Sequence, residues 1–165
     1  MRPFTDKPAP EVVVTHLSPG LLMGKFERVC LAVWKGKPTP DLFEVQRAGL
    51  AAAVAERPGQ AIFLCVIAAS ADPPEDKERQ ASAKMISAHG KNLAACACVI
   101  EGIGFRAAVT RTVLSGISLL IRSPAKLRFF DSVENACAWL ETLVTHGELR
   151  GLNGQVELAR AKLSQ

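Results

Sequence analysis

The chain has 165 residues, 48% of them hydrophobic and 22% charged, which is enough apolar material for one core and leaves little room for a second domain. A formal charge of +4, an aromatic content of 5% and the lack of tyrosine argue against a strongly basic nucleic-acid binder or a ring-rich platform for single strands. The five cysteines (Cys30, Cys65, Cys96, Cys98 and Cys137) include no CxxC pair and lie mostly in apolar runs, so a cytoplasmic protein with free thiols is expected rather than a disulfide framework.

Residues 1–10 carry Pro3, Pro8 and Pro10 and no periodic pattern, which predicts a loose N-terminal arm. No apolar h-region and no apolar run near ~18 residues is present, so neither a signal peptide nor a transmembrane segment is expected. Glu11 to Leu17, with Val12-Val13-Val14, reads as a strand, and Ser18-Pro19-Gly20 as a turn. Arg28 to Trp34 is a second strand; Leu21 to Gly24 extends one or the other in a hairpin. Thr39-Pro40-Asp41 starts a helix, because a hydroxyl caps free amides, proline suits the first turn and an acid suits the positive dipole end.

Ala61 to Ala69 is an unbroken apolar run, the signature of a strand buried on both faces. Asp72 and Glu75 stand in capping-box spacing before a helix that runs to His89 and stops at Gly90. Ala94 to Ile100 is another buried strand, 105–121 a helix stopped by Pro124, and Lys126 to Phe130 the last strand. Asp131-Ser132-Val133-Glu134 caps a helix in which Trp139 is expected to anchor the core with Leu140 and Leu143. The fold expected is a single α/β domain over 11–147, with about five strands in a mixed or mostly parallel sheet, followed by a tail over 148–165 with a short helix in it.

The sharpest local pattern is Gly102-Ile103-Gly104-Phe105-Arg106-Ala107, a GxGxxA between a strand and a helix, with Asp131 at the end of the next strand. Glycines there let backbone amides approach a pyrophosphate, and the acid sits where a ribose hydroxyl is read. A tight strand-to-helix turn explains the same residues, and only one strand follows where a dinucleotide fold has several. Cys96 and Cys98 point to one face of their strand, but His16, His89 and His146 are scattered, so buried packing is favoured and no metal is expected. No nucleophile elbow, Walker loop or zinc-helix motif occurs, so no catalytic residue is assigned, no cofactor is called for and the chain is not read as an enzyme. Arg106, Arg111, Arg122, Lys126 and Arg128 make a basic stretch beside the apolar Ile117 and Leu120. A solvated face explains it; so does a surface for an acidic protein partner or an anionic head group, with Arg111, Ile117, Leu120, Arg122 and Arg128 as its residues.

The order of elements resembles STAS domains of the anti-sigma-factor-antagonist type. Phe129-Phe130-Asp131-Ser132-Val133-Glu134-Asn135-Ala136-Cys137-Ala138-Trp139-Leu140 is similar to the ending of SpoIIAA-like members, a strand, an acidic turn and an Ala-x-x-Trp-Leu-like helix. The resemblance implies a non-catalytic bacterial regulatory module that binds a protein partner, and sometimes nucleotides or lipids; a homo-oligomer is also compatible with it. It further implies a switch serine after the central strand. Ser70 takes that place, although the family's preceding acid and following glycine are missing from Ala69-Ser70-Ala71-Asp72.

Overall fold

The computed structural model describes residues 8–72, 74–104, 108, 112 and 126–165. Of the expected helix over 105–121, residues 108 and 112 are described, both in helical conformation, and the rest lies outside the described residues. Among the described residues six strands form one sheet in strictly sequential order: β1 (Val13–Leu17), β2 (Leu21–Phe26), β3 (Val29–Trp34), β4 (Ala61–Ile67), β5 (Leu93–Ile100) and β6 (Lys126–Phe130). The β1–β2 and β2–β3 pairs are antiparallel, and β3 to β6 run parallel.

The extra strand relative to the sequence expectation is β2. Its run Leu-Leu-Met-Gly-Lys-Phe does not alternate, since both faces are covered, and a two-residue turn at Glu27-Arg28 joins it to β3. Glu27 takes φ +50° there, as tight hairpin turns require. Gly24 lets β1 come close, because a Cβ at that position would stand 2.7 Å from Val12 Cγ1.

Helices cover both faces of the sheet. On one side α1 (Pro40–Glu56) and α2 (Asp76–His89) bury Leu50, Val54, Met85 and Ile86 against Met23, Ala32, Phe63 and Cys96. On the other side α3 (Val133–Glu141) and α4 (Leu152–Ala161) bury Ala136, Leu140, Leu152 and Val156 against Leu22, Leu31, Leu64 and Ala97. The alternation of Cβ direction along each strand explains why one run of apolar residues feeds two cores.

Four local expectations are changed by the structure. Asp72 does not cap α2, which begins at Asp76 with Glu75 at its N-cap and no side-chain capping bond. A residue followed by proline, as Asp72 is, disfavours helical conformation, and the helix starts later. Ser132 rather than Asp131 caps α3, its Oγ accepting from the Asn135 amide at 3.2 Å. Trp139 is only half-buried, because the inward stripe of α3 is Val133, Ala136, Cys137 and Leu140. The expected C-terminal tail is a packed layer: Leu149, Leu152, Val156 and Ala159 are buried. Arg28 also holds Glu148 through bonds of 2.5 and 2.9 Å. Thr39 caps α1 as its sequence predicts, accepting from the Leu42 amide at 3.3 Å.

Candidate functional site

The carboxyl ends of β5 and β6 bring Gly102 and Asp131 together around an open groove of about 530 Å³. Gly102 and Gly104 have φ of +112° and +93°, so the turn itself demands glycine. Among the described residues the charge around it is mostly acidic, which suits a pyrophosphate poorly. Glu101, Asp131, Glu134 and Glu157 line the groove, and the guanidinium of Arg160 is engaged by Glu101 at 2.6 and 3.0 Å and by Glu157 at 3.3 Å. The Glu101 carboxylate, ahead of Glu157, raises the Arg160 pKa further. Arg106 lies outside the described residues.

Ser70 is exposed, in the turn after β4, where its Oγ donates to the Lys35 carbonyl at 3.0 Å. Because α2 begins only at Asp76, Ser70 does not stand at a helix N-terminus, and a phosphate there would not meet the free amides of α2. Arg128 lies on the edge strand β6 with its guanidinium 5.5 Å from the Phe130 ring and 6.0 Å from Trp139, a cation–π stack at the rim of the core. Arg111, Ile117, Leu120 and Arg122 lie outside the described residues.

The feature that the sequence did not announce is a groove between α1 and α2. It measures about 460 Å³, with Phe43 and Met85 at its floor and Lys77, Ala81, Lys84 and Ala88 along the α2 wall. Beside Phe43 and Met85 lies a partly open apolar space of about 70 Å³ against Trp34, Phe63, Cys65 and Cys96. Gln46 holds the floor in place. It is only 2% exposed, its Oε1 accepts from the Trp34 indole at 2.7 Å, and its Nε2 donates to the Met85 sulfur at 3.7 Å. The signal was present in the chain as a glutamine inside the apolar stripe of α1 and a Lys-Ala-Lys-Ala alternation at four- and three-residue steps in α2.

The buried thiols Cys30, Cys65 and Cys96 are held protonated. Cys65 and Cys98 are register partners across β4 and β5. Their mutual hydrogen bond, then burial, pushes the Cys65 thiol well above its ordinary range, and burial does the same to Cys96. Burial takes Cys30 to about 12. A thiol held protonated is neither a nucleophile nor a metal ligand. Among the described residues, no group of three or more His, Cys, Asp or Glu side chains is placed to hold a metal.

No family model matches the chain, and no curated protein matches it. One solved structure does: an uncharacterized protein of the DUF3478 family from Shewanella loihica PV-4, described as having a SpoIIAA-like fold. The two share 19% identity over 81% of this chain and 97% of the other, with a TM-score of 0.50. The chain therefore has a SpoIIAA-like fold, as the order of its strands and helices and the ending around Trp139 led one to expect.

Proposed function

We propose that the chain is a non-catalytic, STAS-like regulatory module that works by binding a protein partner in a bacterial signalling system. The observation that supports this best is the open groove between α1 and α2, an apolar trough bordered by charged side chains on a SpoIIAA-like scaffold. Grooves of this composition, apolar at the centre and polar at the rim, are how small domains hold peptide segments. The glycine turn at Gly102 and Gly104 supports the nucleotide alternative less well, since its described surroundings are acidic. The edge strand β1 is also a poor template for strand addition: its register breaks between Val14 and His16, and such a bulge blunts a sheet edge.

The test is capture with the full chain from its own host at moderate salt, followed by mass spectrometry and size measurement of the complex. A protein retained in near-stoichiometric amount, and released when the groove is altered, is the expected outcome. Recovery of the chain alone, or with a bound nucleotide in place of a protein, counts against the reading.

A further inference from the structure

We infer that the α1–α2 groove seats an acidic amphipathic helical segment of the partner, with apolar side chains on Phe43 and Met85 and two carboxylates on Lys77 and Lys84. The inference rests on the protein-binding reading above and names the chemistry of what is bound. Its first support is shape. From Lys77 to His89 the α2 wall extends about 18 Å at the rise of an α-helix, the length of three helical turns. Ala81 and Ala88 are exposed and small, which leaves room for side chains to descend between the lysines onto the floor.

The second support is charge. On the α1 wall, Arg47 is answered by Glu44 of its own helix at 2.5 and 2.8 Å. Glu78 also lines the groove, half-buried with its Oε2 shielded from solvent, so the two lysines of this wall are set against one carboxylate. Lys77 and Lys84 are exposed and have no partner among the described residues. They stand seven residues apart on one helix face, about 10 Å along the axis, a spacing that carboxylates at i and i+7 of a docked helix reproduce. The third support is the floor. The space beside Phe43 and Met85 is about 70 Å³, room for a few waters' volume and too small for an acyl tail, so an occupant lies along the trough instead of threading into the core.

The experiment uses two fourteen-residue helical peptides with leucines on one face, one bearing glutamates at i and i+7 and the other lysines at the same places. Binding to the full chain is followed by fluorescence anisotropy at low and high salt. The acidic peptide is expected to bind at least tenfold more tightly, with an affinity that falls as salt rises. Lys77→Glu with Lys84→Glu is expected to invert that preference, and Ala81→Trp to abolish both by filling the trough. These positions are exposed, and circular dichroism checks that the variants fold. Absence of binding, equal affinity for the two peptides, or a preference that survives charge reversal overturns the inference. So does binding to phosphatidylglycerol vesicles with neither peptide bound, which assigns the lysines to a membrane surface. A captured native partner that binds a chain combining Lys77→Glu, Lys84→Glu and Ala81→Trp at full strength refutes the groove and leaves the protein-binding reading intact.

Discussion

Gln46 accepts the indole N–H of Trp34 at 2.7 Å, joining the middle of α1 to the end of β3 inside an otherwise apolar layer. It is the one buried polar or charged side chain among the described residues. A neutral amide in that position satisfies a donor that the tryptophan would otherwise bury alone, and it fixes Met85 at the groove floor through its own Nε2.

Gln46→Ala is therefore expected to destabilise the fold by about 2–4 kcal/mol, combining a lost acceptor with a new cavity. Urea unfolding measures the loss, and the near-ultraviolet signal of Trp34 should change with it. An unchanged midpoint would mean that the amide is not the anchor of this layer.

Trp139 and Leu140 are adjacent in sequence and unequal in the structure. Leu140 is fully buried, so Leu140→Ala should cost about 2–5 kcal/mol. Trp139 is half-buried against Phe130 at 5.5 Å and under Arg128, so Trp139→Ala should cost less, about 1–2 kcal/mol. Denaturant midpoints of the two variants, measured side by side, decide the order. The reverse order would place the helix in a different rotation on the sheet.

The buried thiols predict an alkaline weakness. Burial takes Cys30 and Cys137 from 9.0 to about 12 in the folded chain, with Glu141 and Glu157 adding to the shift at Cys137. The folded state then keeps protons that the unfolded state releases. Stability from these groups is present below pH 9 and is lost as pH rises from about 9 towards 12, at up to about 1.4 kcal/mol per pH unit for each thiol. Denaturant midpoints at pH 8 and pH 10.5 should show the fall, and Cys30→Ala should reduce it. Rapid labelling of native Cys30 by a thiol reagent at pH 8 would contradict the burial on which this depends.

The glycine turn is expected to hold no nucleotide. Millimolar NAD, NADP, ATP or GTP should leave the thermal midpoint unchanged, because a ligand that selects the folded state adds RT ln(1 + [L]/Kd) to stability and the acidic surroundings disfavour such binding. A rise of several degrees that disappears in Gly104→Val would restore the nucleotide reading. Gly104→Val alone strains a backbone at φ +93°, so the comparison is made against each protein's own ligand-free midpoint.

Strands β3, β4 and β5 were legible in the sequence, because a strand covered on both faces is an unbroken apolar run bounded by turn residues. So were the start of α1 at Thr39 and the end of α2 near Gly90, where a hydroxyl cap and a glycine act within a few residues. The SpoIIAA-like order of elements followed from these local signals. The sequence alone did not separate β2 from its neighbours, since Leu21 to Phe26 carries no alternation until two covering layers are known. Nor did it show which side of α3 faces inward: a tryptophan and a leucine in succession both look like core, and the phase is decided by the full stripe that packs on the sheet. The groove depended most on tertiary structure. Phe43 and Gln46 lie on α1, Lys77 and Met85 on α2, and β4 separates the two helices in the chain. Only the parallel sheet, by setting both helices side by side on one face, brings into one trough an apolar floor and two lysines without a partner among the described residues.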